Sequence, residues 1–441
     1  MSILLLKSSS VSHYYALRFS AHWEAAEDFP RVRDDMVDFA KSKLVEALES
    51  EQSKILAALS TRILLNFDIT RRDGRQEEME QVERSMRIVY SIPPHREYMR
   101  TGHSSEPILA EAAARFLEDK DASTALRDSL VAGWIDKGNR GELVARLLLT
   151  LAYDKAARAY SACQGVTKGQ QVMYSKAVPV VDFLKALLHE AWHKAVLESK
   201  PKTRSKGEPM TLEQAFDGAY VRFTHFIVNG TYNKVDTHAS LAAAVRGAAI
   251  QVTHNQESVD IVIPVVMPYG VEALDEPGMS CILIQVKATE RRKNVFVDLN
   301  KLNVFPSNDK LRPCIIITMY LGEIPNHLLS SKSPSTNSNT SDEWIASNEV
   351  TVALGPTRET MSATKPDLCP EYHFDIRGCS HLTYGVVDEA HNTIYAELLE
   401  SRGTLQEHAR PDTVPLVKRQ KMKWERGPEC YDWIADEELL R

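Results

Sequence analysis

Cys281-Ile-Leu-Ile-Gln-Val-Lys287 is an apolar, β-branched run that ends on an amide and an ammonium. Side chains in a strand alternate between faces, so Leu283, Gln285 and Lys287 share one side and Ile282, Ile284 and Val286 the other. Polar groups at the end of a buried strand need partners, because a polar group taken from water unpaired costs free energy. A metal ion and its substrate would supply them.

Comparable runs surround this one: Ala248-Ala-Ile-Gln-Val-Thr, Val259-Asp-Ile-Val-Ile and Cys314-Ile-Ile-Ile-Thr-Met. Together they predict a sheet beginning near Arg246. Pro264 removes a ladder donor and predicts an edge, a bulge or a strand confined to the first half of Val259 to Val266. The preceding sequence reads as helical. Val37, Ala40, Leu44 and Leu48 share a face, as do Ile108, Leu109, Ala112 and Phe116, and only Ile63-Leu-Leu-Asn-Phe suggests a strand there. Helical stripes continue through Leu143, Val144, Leu147, Leu148 and Leu151, then Phe183, Leu184 and Leu187, then Phe216, Tyr220 and Phe223.

The predicted fold is α/β, with a mixed sheet flanked by helices and a mainly helical N-terminal region. The predicted divisions are a helical region over 1–135, an α/β core over 136–328 with a helical insertion at about 168–233, a linker over 329–343 and a mixed segment over 344–441. Ser330 to Asp342 is rich in Ser, Asn and Thr and cannot bury apolar area, which marks the linker.

With 43% hydrophobic and 26% charged residues in 441, the chain has the composition of an ordinary globular protein. A net charge of -7 gives no general attraction for phosphate, so nucleic-acid contact must come from local clusters. Three are present: Lys200, Lys202, Arg204 and Lys206; Lys287, Arg291, Arg292 and Lys293; and Lys418, Arg419, Lys421, Lys423 and Arg426. The apolar run at Met1 is too short for a signal peptide and no stretch has the ~20 apolar residues of a membrane span, so the expected location is intracellular, cytoplasmic or nuclear. The six cysteines form no CxxC pair, which speaks against structural zinc.

Asp260 heads the strand before Gln285, where an antiparallel partner would stand beside it. Magnesium takes hard oxygen ligands and keeps several waters. Asp260, Gln285 with the Val286 carbonyl, and Glu142 suit it, and Lys287 would act as the catalytic cation beside the attacking water. The alternative for Glu142 is a capping box with Asn139, and for Asp260 a strand-end carboxylate satisfied by backbone donors.

A helix bearing Glu142 in "RGELVARLLL", then Asp260 in "SVDIVIPVV", then Gln285 and Lys287 in "ILIQVK" resembles the PD-(D/E)XK nuclease superfamily. The Gln variant is similar to the branch typified by Mrr-type restriction enzymes. The resemblance spans roughly Arg140 to Tyr320 and implies a restriction-endonuclease-like core, Mg2+ or Mn2+ as cofactor and DNA or RNA as partner. Gln285 stands where the superfamily usually has an acid, which removes a negative charge and weakens magnesium binding. Stretches such as "SSEPILAEAAARF", "YVRFTHFIVNG" and "RGAAIQV" also resemble a group of proteins from mushroom-forming fungi.

Two other classes compete. A catalytically inactive module would keep the nuclease shape and bind nucleic acid or protein. His189-Glu-Ala-Trp-His193 matches HExxH, in which His189 and His193 one turn apart on a helix bind zinc, Glu190 activates water and Glu213 is the third ligand, making a metallopeptidase. Against it, Asp182, Lys185, His189 and His193 form one polar stripe, the ordinary solvated face of an amphipathic helix.

Overall fold

The computed structural model describes residues 29–94, 99–103, 105–136, 140–163, 172–202, 209–229, 235–252, 259–268, 276–288, 312–322, 350–351 and 370–399. The predicted linker at 329–343, the basic cluster at 418–426, Asn139 and Arg291 to Lys293 lie outside them.

The chain opens with helices α1 (Phe29–Lys41), α2 (Glu51–Ile63) and α3 (Arg72–Arg84), a hairpin of β1 (Ile88–Ser91) and β2 (Arg100–Gly102), and helices α4 (Pro107–Leu117), α5 (Ala122–Ala132) and α6 (Arg140–Cys163). Then come β3 (Val178–Pro179), α7 (Val180–Leu187), α8 (His193–Leu197), α9 (Leu212–Ala215), β4 (Tyr220–Val221), β5 (His225–Val228) and α10 (Thr237–Arg246). The chain continues through β6 (Ala248–Gln251), β7 (Ile261–Val266), β8 (Met279–Lys287), β9 (Cys314–Tyr320), β10 (Val350–Thr351), β11 (Glu371–Arg377) and α11 (Asn392–Leu399).

Among the described residues, nine strands form one mixed sheet in the order β10-β11-β9-β8-β7-β4-β3, with β6 also on β7 and β5 on β6. β8, β9 and β11 run parallel, while β7 is antiparallel to β8 and to both β6 and β4. The sheet was legible from its β-branched runs, and all seven residues of β9 are buried. α10 covers one face, where Val235 and Ala243 pack on Ile250, Val262, Leu283 and Ile316. Asp236 caps this helix by accepting from Ala239 N, and Gly247 closes it at φ 64°, a left-handed conformation that glycine adopts without strain.

Pro264 lies in a central strand, not at an edge, and β7 runs on to Val266. β6 pairs only with Ile261 and Val262, and β4 only with Val265 and Val266. Pro264 sits in the gap between them, where a missing donor breaks no ladder.

Three further expectations are corrected. Ile63-Leu-Leu-Asn-Phe is no strand: α2 runs through Ile63, the chain turns at Leu64 in the left-handed region, and Phe67 makes an isolated bridge to Ile135. Phe216, Tyr220 and Phe223 are not helical, because α9 ends at Ala215 and Tyr220 enters β4. The insertion expected to be helical holds α7, α8 and α9 and also contributes β3, β4 and β5 to the sheet.

The chain divides into two compact units, Met1–Leu398 and Leu399–Arg441. The N-terminal helices therefore belong with the sheet, and the segment predicted to be separate after 343 supplies β11 to it. A buried ion pair joins the regions. Arg62 of α2 donates Nη1 and Nη2 to the Asp154 carboxylate of α6 at 2.6 and 2.7 Å and Nε to Thr224 O at 2.8 Å.

Candidate functional site

The four residues singled out in the sequence come to one end of the sheet. β8 finishes there with Gln285 and Lys287, β7 starts there after Asp260, β6 finishes there with Gln251, and α6 begins there with Glu142 in its first turn. Gly141 makes the approach of α6 possible. A Cβ on it would stand 2.6 Å from the Ala288 Cβ and 3.6 Å from Val286 Cγ1.

Asp260 is fixed by its backbone and side chain together. Its N–H donates to Ile284 O at 2.9 Å, its carbonyl accepts from Val252 N at 2.9 Å, and Oδ2 accepts from Val286 N at 2.6 Å. That last bond satisfies the backbone donor between the two residues of the Gln-x-Lys pair. The backbone-donor reading of Asp260 thus describes its Oδ2.

The β7–β8 register runs from Val266↔Met279 to Ile261↔Ile284, and Gln285, one residue further along β8, pairs with Thr318 of β9. Gln285 is 7% exposed and its Oε1 is buried with no hydrogen-bond partner among the described residues. Native structures rarely leave such an acceptor unsatisfied, and doing so costs about 1–3 kcal/mol. Lys287 is partly exposed, its carbonyl accepts from Leu321 N at 2.9 Å, and its register partner is Tyr320.

Glu142 arrives at this rim already engaged. Its Oε2 accepts from Gln251 Nε2 at 2.9 Å and stands 3.7 Å from Arg146 Nη1, one turn along α6. Arg146 is 3% exposed and its Nε donates to Ile63 O at 2.8 Å. Burial lowers its pKa to about 10, opposed by the Glu142 charge, and it remains a cation at neutral pH. Alternation along β8 gives Gln285 and Lys287 the side that α10 covers, whereas Gly141 meets Val286 from the other. The candidate residues therefore approach the rim from both sides of the sheet.

Gln251 and Arg146 were not singled out in the sequence. Gln251 carries the same signal as Gln285, a polar residue closing an apolar strand, and Arg146 lies four residues from Glu142 on one helix face.

The HExxH alternative does not assemble. α7 ends at Leu187, Leu188 bridges to Tyr384, and His189 is an extended residue capping a short 3-10 turn from Glu190 to Trp192. The His189 Nδ1 accepts from Ala191 N, and the His193 Nε2 faces the Lys185 and Leu188 carbonyls at 2.8 and 3.0 Å. Glu213 lies on α9 within a capping box made by Thr211 and Gln214. Among the described residues, no group of three or more His, Cys, Asp or Glu side chains could hold a metal ion. Among the same residues, no helix is long and apolar enough to cross a membrane.

A family model described as a domain of unknown function, DUF8736, matches residues 47–300, more than half of the chain. The chain belongs to that family, and the matched span runs from the N-terminal helices through Glu142, Asp260, Gln285 and Lys287. No curated protein and no solved structure matches it.

Proposed function

We propose that this protein is a metal-dependent phosphodiesterase acting on nucleic acid, DNA or RNA, built on a restriction-endonuclease-like core. The observation that carries the proposal is the buried Gln285 Oε1, which has no hydrogen-bond partner among the described residues, on the strand end whose next backbone N–H, that of Val286, is held by Asp260 Oδ2. A buried oxygen with no donor fits a hard cation. Asp260, Gln285 and Glu142 would hold Mg2+ or Mn2+, which when bound lowers the pKa of water and neutralises phosphate charge. The chain's own residues do the rest. Asp260 fixes the Val286 backbone, which sets Gln285 and Lys287 in place, and the Lys287 ammonium stabilises negative charge gathering on the phosphate. The order of the elements, helix with Glu142, strand after Asp260, strand with Gln285 and Lys287, supports the same reading.

The test is magnesium- or manganese-dependent nicking of plasmid DNA and cleavage of RNA by the full chain. Lys287→Ala is expected to reduce either by at least about 100-fold, the low end of what a positioned charge or proton-transfer group contributes. His189→Ala should leave it unchanged. Cleavage surviving in Lys287→Ala would remove the proposal.

A catalytically inactive module that binds nucleic acid or protein is the second reading. It is favoured by the engagement of Glu142 with Gln251 and Arg146, which occupies the acid the metal would share. Nucleic-acid binding without cleavage in either metal would select it.

A further inference from the structure

Three parallel strands end level with one another at the rim of the sheet. The last residue of β8 is Lys287, of β9 Tyr320 and of β11 Arg377, and the registers Lys287↔Tyr320 and Tyr320↔Arg377 set them in one row. Backbone bonds fix that row, since Leu321 N donates to Lys287 O and Gly378 N to Tyr320 O, each at 2.9 Å. Gly378 then turns the chain away at φ 77°. The row two residues back is Gln285, Thr318 and Asp375, in register in the same way. Register partners face one side of a sheet, and alternation returns to that side at every second residue, so all six side chains share it. It is the side on which Leu283 and Ile316 pack with Ala243 of α10.

In open α/β sheets ligands meet the carboxyl ends of the parallel strands. Here that end offers one cation on each side of an aromatic residue. Lys287 and Arg377 are partly exposed, their backbones about 10 Å apart across two strand spacings, and both side chains are long enough to converge on one group. The Arg377 guanidinium carbon stands 5.6 Å from the centre of the Tyr320 ring, a cation–π contact that orients its fork. Such a fork pairs with two phosphate oxygens at once, and an ammonium adds a point charge beside it. Asp375, the acid of the set, belongs to the inner row, about 6.6 Å back along its strand. The same inner row holds the buried Gln285 Oε1, which has no hydrogen-bond partner among the described residues and so points independently to a ligand on this side. Resting on the nucleic-acid partner proposed above, we infer that Arg377 is a further substrate-binding residue: Lys287 and Arg377 clamp a backbone phosphate between them, across Tyr320. Arg377 lies beyond the matched span 47–300, so the site draws on β11 from outside it.

The experiment follows the fluorescence anisotropy of labelled oligonucleotides, DNA and RNA, with the full chain in EDTA and in Ca2+ over a series of salt concentrations. Arg377→Gln is expected to weaken binding at least about tenfold whatever the sequence, the low end for a hydrogen bond to a charged group. It should also lower the slope of log affinity against log salt by about 1, as the loss of one phosphate contact does. Arg377→Lys, which keeps the charge and loses the fork, should keep the slope. In the nicking assay Arg377→Gln should raise KM more than it lowers kcat. Affinity and slope unchanged in Arg377→Gln overturn the inference, and cleavage by the native chain then leaves the nuclease reading standing. Weakened binding in Arg377→Gln beside a native chain that cleaves nothing upholds the phosphate contact and removes the nuclease reading. No binding by the native chain overturns both. Should circular dichroism show Arg377→Gln unfolded, the native chain still decides: the oligonucleotide should shield Arg377 from phenylglyoxal, read by peptide mass spectrometry, and equal modification with and without it overturns the inference.

Discussion

Gly141 and Ala288 show how much of the candidate site depends on one missing methyl group. Replacing a helical glycine by alanine ordinarily stabilises by up to about 1 kcal/mol. Here the added Cβ would stand 2.6 Å from the Ala288 Cβ, with no long side chain to swing aside, and overpacking of this kind costs about 1–3 kcal/mol. The clash should win: Gly141→Ala is expected to lower the melting temperature and to reduce cleavage further than stability alone accounts for, because α6 carries Glu142 to the rim. Circular dichroism melting beside the nicking assay checks both, and a melting temperature that rises would show the contact to be loose. The sequence made Asp260, Gln285 and Lys287 legible through one rule, that polar residues ending apolar strands need partners. The same rule applied to Ala248-Ala-Ile-Gln would have reached Gln251. Arg146 was passed over, since an arginine four residues from a glutamate on a helix is usually a solvated pair, although the apolar run Leu143-Val-Ala-Arg-Leu-Leu-Leu149 around it is the signal of its burial.

At the scale of elements, the sheet was readable because its strands are continuous apolar runs, whereas the short segments between α6 and β6 were not. Phe216, Tyr220 and Phe223 have helical spacing, yet their burial comes from ring packing. Phe223 lies between Tyr153, Phe183 and Phe226 at centroid distances of 4.6, 5.6 and 5.8 Å, and Phe216 packs on Tyr372. Tertiary contact, not period, decided their backbone. The polar stripe of His189 and His193 failed in the same way, because the helix they were expected to share stops at Leu187, whose carbonyl accepts from Gly385 N. The two imidazoles settle on backbone groups instead. The link between α2 and α6 is equally specific. Removing Arg62 alone would strand the Asp154 carboxylate in the interior, so Arg62→Met should cost about 3–5 kcal/mol in urea unfolding. Arg62→Met with Asp154→Leu should recover much of that loss, and a double variant no better than the single one would mean that the bond to Thr224 O matters more than the charge pair.

For the whole molecule, pH dependence follows from two buried imidazoles. His103 and His225 have their pKa values pushed down to about 3, by burial first and then by Arg87 for the one and Arg62, Arg246 and Arg222 for the other. Their folded-state values lie below the unfolded value, so the unfolded chain binds more protons between pH 6.5 and 3. Stability contributed by the neutral imidazoles is complete above pH 6.5 and declines as the pH falls, by up to about 1.4 kcal/mol per pH unit for each histidine. Urea midpoints measured from pH 7 to 4 should fall, and His225→Gln should flatten the slope; unchanged midpoints would mean that the imidazoles reach water. The contacts that join the helices over 1–135 to the rest of the fold, such as Arg62 with Asp154, link residues far apart in the chain and leave no local trace in the sequence. The gap at Pro264 has its own consequence. The β5–β6 limb that carries Gln251 is held to the main sheet by the pairs Ile250↔Val262 and Gln251↔Ile261, whereas β8 and β9 share six. Amide protons of that limb should therefore exchange with solvent deuterium well ahead of those in β8 and β9, and a limb that breathes in this way would carry Glu142's partner with it.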